Sequence, residues 1–166
     1  MKHTQTTIKL AAVLAVLSLD AFSDDPARRR IVISIPDRKL VLLENERVLK
    51  IYDVAVGKAV TPSPRGSFTI VNHVPHPTWF GPAGPVAPGP QNPLGTRWMG
   101  LSAHGYGIHG TNAPSSIGKA ASHGCIRMRQ QDLEELFELV GVGTQVELTG
   151  GSTETLAKVF SAAASN

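Results

Sequence analysis

The run Ser122-His123-Gly124-Cys125-Ile126-Arg127 carries the only cysteine of a 166-residue chain. A lone thiol cannot close an internal disulfide, so Cys125 reads as free sulfur available for chemistry. A cysteine nucleophile needs a base to take its proton and positive charge to favour the thiolate. His109 is the first choice as base, because Gly110 beside it allows close backbone approach. His123, two residues from the thiol, is the alternative; it could instead orient the loop or polarise a substrate. Gly124 suits a tight turn that leaves backbone N–H groups to stabilise an oxyanion. Arg127 has the fork geometry for a two-point contact with a substrate carboxylate. Together these residues describe a thiol enzyme.

Two duller readings compete. A free cysteine is often a small buried hydrophobe. His104, His109, His123 and Cys125 could instead ligate a metal, but their spacings fit no compact zinc signature. No metal and no organic cofactor is therefore expected. His73 and His76, beside a proline-rich stretch, read as surface or loop residues.

The elements that must position this site are mostly strands. Ile31, Ile33 and Ile35 alternate before the turn signal Pro36-Asp37. Lys39 to Leu43 is a second apolar run, closed by Glu44-Asn45-Glu46. From Arg47 to Val56 the alternation returns, with Val48, Lys50, Tyr52, Val54 and Val56 on one side, until Gly57 ends it. Short strands joined by polar turns predict an antiparallel meander. Ser67 to Asn72 makes another strand. Residues 74–95 are crowded with proline and glycine, which excludes a helix or a central strand and predicts a long loop that is a lid, a binding loop or a disordered insert. Trp79, Phe80 and Trp98 in or beside it would either contact a ligand or anchor the loop. Leu133, Leu136, Phe137 and Val140 fall at i, i+3, i+4 and i+7, a helix stopped by Gly141. Thr144 to Thr149 closes the fold as a strand. The expectation is a mainly β domain with one main helix just after the cysteine.

The ends read differently from the middle. Lys2, His3 and Lys9 precede an apolar run from Leu10 to Leu19, followed by Ala21-Phe22-Ser23. That is the layout of a secretory signal peptide over residues 1–23, or of an anchor if it stays uncleaved. The run is shorter than the roughly 20 residues that span a bilayer. Residues 150–166 form a polar tail with one marginal helical turn around Glu154 to Phe160. The formal charge of +3 is a mild excess, concentrated in Arg28-Arg29-Arg30. Basic residues are not interleaved with aromatics, so no nucleic-acid partner is expected. The arginine cluster is either solvated or weakly drawn to an anionic envelope polymer.

His109-Gly110-Thr111-Asn112, Ser115-Ser116-Ile117-Gly118 and Ser122-His123-Gly124-Cys125-Ile126-Arg127-Met128, in this order, closely resemble the catalytic signature of the L,D-transpeptidase domain family. Gly57-Lys58 with Thr61-Pro62-Ser63-Pro64-Arg65-Gly66-Ser67-Phe68 resembles a second block of that family, and Asn92-Pro93-Leu94-Gly95 with Trp98-Met99 a third. The blocks span residues 30–149. The resemblance implies a β-sandwich-like catalytic domain that builds 3→3 cross-links between peptidoglycan stem peptides, through a cysteine acyl-enzyme and release of D-alanine. It implies Cys125 as nucleophile, His109 as proton acceptor and donor, and the Gly110 carbonyl orienting His109. His123 is then supporting, and Arg127, Ser122, Gly124, Trp98 and Tyr106 contact substrate. Water or an envelope protein could replace the stem amine as acyl acceptor. A wall-binding protein without catalysis is the alternative from another class, and the intact Cys125/His109 pair argues against it. Such a protein would work in the periplasm or cell wall; the oligomeric state is left open.

Overall fold

A computed structural model describes residues 28–154 of the chain. The leader over residues 1–23 and the tail beyond Glu154 lie outside the described residues. The meander forms as its turn signals dictate. Strands β1 (Arg29–Ser34), β2 (Lys39–Glu44) and β3 (Arg47–Gly57) pair antiparallel in sequence order. Arg38, Asn45 and Glu46 take positive φ in the two tight connections, a geometry that polar turn residues tolerate better than branched ones. Ile31, Ile33, Leu40 and Leu42 are fully buried in the main core.

β3 departs from strict alternation. Its register against β2 slips between Leu42 and Leu43, so that Lys50 faces Leu42 while Val48 faces Leu43. The extra residue is a bulge, and a bulge moves side chains upstream of it to the other face. Val48 is thereby turned to the face of Leu43 and is exposed, while Tyr52, Val54 and Val56 reach the core; Lys50 shares their face but lies exposed at its margin, paired with Glu135.

The remaining strands close the sheet upon itself. β4 (Gly66–Pro75), β7 (Arg97–Leu101), β8 (Gly107–His109), β9 (Ala120–Ser122), β10 (Ile126–Met128) and β11 (Gln145–Thr149) join β1–β3 in the order β10-β8-β7-β4-β11-β1-β2-β3-β9. β10 pairs a second time, with β3, so the two ends meet in a sandwich-like closure. Three pairings are parallel: β1 with β11, β3 with β9, and β8 with β10. β4 runs past Asn72 to Pro75, and His73 lies on it with its ring stacked on Phe137, centroids 3.4 Å apart. The expectation of a surface or loop position for His73 is thus corrected; Phe137 offers an apolar face that an exposed loop would lack.

The expectation that residues 74–95 hold no central strand fails at Val74 and Pro75, which end β4 against β7; beyond them the stretch has neither helix nor central strand, but it includes a separate two-stranded hairpin, β5 (Trp79–Gly81) with β6 (Gly84–Val86). The helix α1 spans Gln130–Leu139 and buries Leu133, Leu136 and Phe137, each of which stabilises by roughly 1.5–3 kcal/mol. It ends one residue earlier than its stripe, with Val140 extended as the cap. Arg29 pairs with Glu44, and Arg30 with Glu46 and Glu147. Those arginines tie β1 to β2, to the β2–β3 turn and to β11, which weakens the reading of the cluster as a polymer-binding patch. Among the described residues no helix is long and apolar enough to cross a membrane.

Candidate active site

The site grows from the parallel pairing of β8 with β10, in which Ile108 faces Ile126 and His109 faces Arg127. Side chains alternate along a strand. Ile108, Ile126 and Met128 point into the core, so His109, Arg127 and, one step before β10, Cys125 turn the opposite way. That way opens a cavity of about 560 Å³ lined by Cys125, His109, His123, Arg127, Ser122 and Trp98. Its far wall is the β5–β6 hairpin and the segment after it, with Pro77, Thr78, Trp79, Phe80, Pro93 and Leu94. Trp79 and Phe80 thus line the cavity, and Phe80 is 81% exposed at its mouth.

His109 is buried and held on two sides. Its Nδ1–H donates to the Gly110 carbonyl at 2.6 Å, which leaves Nε2 as the nitrogen able to accept a proton. The Trp98 indole, opposite His109 in the β7–β8 register, stacks on the imidazole with centroids 5.6 Å apart. Burial pushes the His109 pKa down to about 4; the hydrogen bond to Gly110 opposes this and the Arg127 charge adds to it. The imidazole is therefore neutral at pH 7 and free to act as a base. His123 is exposed on the rim of the same cavity.

Cys125 is half-buried. Burial raises its pKa, while a hydrogen bond from the Gly107 backbone N–H and the charge of Arg127 pull it back down. Its Sγ lies 3.7 Å from the Gly105 carbonyl, to which the S–H donates. The thiol and the imidazole, which line the same cavity, are thus both neutral at pH 7.

The turn carrying Cys125 is fixed by hydroxyl groups. Ser122 Oγ donates to the Cys125 carbonyl at 2.6 Å and accepts the Gly124 N–H at 3.0 Å. Ser63 Oγ donates to the Gly124 carbonyl at 2.8 Å and accepts from the Gly57 N–H. Thr61 Oγ1 donates to the Ser122 carbonyl. Gly124 has φ +117°, and a Cβ there would sit 2.5 Å from the Tyr106 ring. Only glycine takes that conformation readily.

Several sequence expectations change here. The Gly124 N–H is not available for an oxyanion, because Ser122 already accepts it. Tyr106 does not line the cavity; its ring packs under Gly124 and supports the turn. Ser122 reaches the lining, but its hydroxyl serves the loop. His104 is absent from the cavity that His109, His123 and Cys125 line, and among the described residues no group of three or more histidine, cysteine or acidic side chains could share a metal ion. The sequence reading missed Gly107. A Cβ at that position would lie 2.5 Å from the Trp98 ring, so glycine lets the indole cover His109 while its N–H reaches the thiol. The glycine two residues before the histidine was the available signal.

The family profile described as the L,D-transpeptidase catalytic domain matches residues 28–148. YkuD of Bacillus licheniformis, assigned by name to the L,D-transpeptidases, is 48% identical over 120 residues, covering 72% of this chain and 65% of that protein. YkuD of Bacillus subtilis is 44% identical over 118 residues, 71% of this chain and 64% of that one. The chain thus spans just under two thirds of the length of these relatives. Among solved structures, a cysteine-to-serine variant of the Enterococcus faecium L,D-transpeptidase matches with a TM-score of 0.63 at 26% identity, over 74% of this chain and 50% of that one. An L,D-transpeptidase from Mycobacterium smegmatis matches with a TM-score of 0.62 at 21% identity, over 74% and 59%, a likeness of fold.

Proposed function

Because the chain belongs to the L,D-transpeptidase catalytic domain family, we propose that it is a cysteine acyltransferase that joins peptidoglycan stem peptides by 3→3 cross-links. The observation that carries this reading is the β8–β10 register, which pairs His109 with Arg127, two residues after Cys125, so that all three line one cavity.

The chemistry follows from the two neutral groups. His109 Nε2 takes the Cys125 proton as sulfur bonds to the carbonyl carbon between the L-centre of the stem's diamino acid and its terminal D-alanine. The carbonyl electrons move to oxygen and return as the C–N bond breaks, and the departing D-alanine nitrogen takes the proton from His109. A thioester on Cys125 remains. The amine of a neighbouring stem then attacks it, its proton passes to His109, and the Cys125 sulfur leaves and recovers that proton. The Gly110 carbonyl keeps Nε2 directed toward the reaction without adding a negative charge. Arg127 on the same face supplies a fork for the substrate carboxylate, and Trp98, Trp79 and Phe80 supply apolar walls that limit water.

Water in place of the stem amine would make the same acyl-enzyme an L,D-carboxypeptidase, and an amine of an envelope protein would attach that protein to the wall. The N-terminal apolar run and Ala21-Phe22-Ser23 support a site of action in the periplasm or cell wall.

Intact-protein mass spectrometry with a disaccharide-tetrapeptide ending in D-alanine, with Cys125→Ala alongside, tests the reading. A covalent adduct on wild type alone, released D-alanine and a 3→3 dimer are expected. D-alanine and tripeptide without dimer would move the assignment to a carboxypeptidase. Absence of both adduct and D-alanine from folded wild type would sink it in favour of a binding role.

A further inference from the structure

Asn92 is 1% exposed, yet its side chain is polar. A buried amide persists only where its donors and acceptor are satisfied. Its Nδ2 group donates to the carbonyls of Pro77 at 2.8 Å, Val86 at 3.2 Å and Ala87 at 3.3 Å, which are the two stems of the β5–β6 hairpin. Its Oδ1 accepts the Leu94 N–H at 2.8 Å. The Leu94 carbonyl in turn accepts the Gly110 N–H at 2.8 Å, and the Gly110 carbonyl accepts His109 Nδ1–H. One amide therefore begins two linkages. Its nitrogen gathers the hairpin that carries Trp79 and Phe80; its oxygen fixes the peptide that orients the base.

We propose that Asn92 is a positioning residue with two separable tasks: the amide nitrogen sets the substrate-contacting hairpin, and the amide oxygen sets His109 through Leu94 and Gly110. The proposal rests on the reading of His109 as the base of Cys125. It accounts for a buried polar residue in the Asn92-Pro93-Leu94-Gly95 block that the catalytic steps leave unused. Asn92 does not touch the reacting atoms; it acts through the two chain segments it joins.

The two halves of the amide can be removed in turn. Asn92→Asp keeps an acceptor for the Leu94 N–H but faces a carboxylate toward three carbonyls, so the hairpin loses its tie. Asn92→Ala removes both. The experiment measures acylation rates of the full chain against disaccharide-tetrapeptide concentration by rapid quench and intact mass, with His109→Ala as reference. The ¹⁵N signals of the His109 imidazole are followed in the same variants. In Asn92→Asp the half-saturating concentration should rise about tenfold while the limiting rate falls by less than about threefold, the scale of one or two lost hydrogen bonds. In Asn92→Ala the limiting rate should fall about tenfold more, and the His109 signals should shift. Equal losses in both variants with His109 signals unmoved would reduce Asn92 to a structural residue and overturn the proposal, as would wild-type kinetics in either. If Asn92→Ala does not fold, the split between half-saturation and limiting rate in Asn92→Asp decides alone. Wild-type acylation by His109→Ala would remove the base and the linkage together, whereas its loss beside unaffected Asn92 variants would sink the linkage only.

Discussion

His109 donates its Nδ1–H to the carbonyl of Gly110, the next residue in the chain, at 2.6 Å. The orienting partner of the imidazole is thus a neutral peptide group. It fixes the tautomer with Nε2 unprotonated, but it offers little to hold an imidazolium, and burial dominates the pKa.

The two histidines should then separate in kinetics. His109→Ala is expected to reduce the rate of acylation by about 10²–10⁴, the usual weight of a positioned acid–base group. His123→Ala, on the exposed rim, should lose less than about tenfold. Rapid-quench acylation with the tetrapeptide checks this, and equal losses would move the base to His123.

The depressed His109 pKa also predicts acid sensitivity of the fold. In the folded state the group protonates near 4, and in the unfolded chain near 6.5. The unfolded state thus binds the proton first as pH falls. Stability is full above about 6.5 and declines through the window down to 4, by on the order of 3 kcal/mol from this group alone. Urea midpoints at pH 7.5 and 4.5 for wild type and His109→Asn measure it. A pH decrement of the same size in both proteins would refute the assignment. Acylation should likewise persist below the ordinary histidine range, with its acidic limb nearer pH 4 than 6.5.

Arg127 lowers the Cys125 pKa by its charge and lines the same cavity. Arg127→Ala should therefore slow alkylation of the thiol by iodoacetamide at pH 7 and weaken acylation by the tetrapeptide, leaving the thermal midpoint within a few degrees. A thiol pH profile that coincides with wild type would remove its electrostatic role. Normal kinetics with the tetrapeptide would remove its carboxylate role.

Gly124 carries φ +117° and has no room for a methyl group against Tyr106. Gly124→Ala is expected to cost about 1–3 kcal/mol of stability and to lower acylation further, since the turn it distorts carries Cys125. Urea denaturation and acylation of the folded fraction measure both. In Gly124→Ala/Tyr106→Ala the relieved contact should return part of the stability and leave the part due to φ. A wild-type midpoint in the single variant would show that the turn is not constrained as described.

The order and type of residues alone singled out Cys125 as the candidate nucleophile and determined the mainly β character and the main helix, because these rest on local facts. There is one thiol in the chain; alternation marks strands such as Ile31–Ile33; and the i, i+3, i+4 stripe of Leu133, Leu136 and Phe137 marks α1. The motif blocks and their order carried the family as well. What depended on partners distant in sequence was decided only in three dimensions. Alternation says which face of a strand is apolar but not which strand lies beside it, so the parallel pairings of β8 with β10 and β1 with β11 could not be read from the chain. The first of these pairings puts His109 on the face of Cys125 and leaves His123, its nearer neighbour in sequence, on the rim. Short polar groups such as Ser122 and Asn92 carry no pattern at all. Whether Ser122 faces substrate or takes the Gly124 N–H, and whether Asn92 is a loop residue or a buried junction, depends on which donors the folded backbone leaves without a partner, a quantity that exists only once the chain has closed around them.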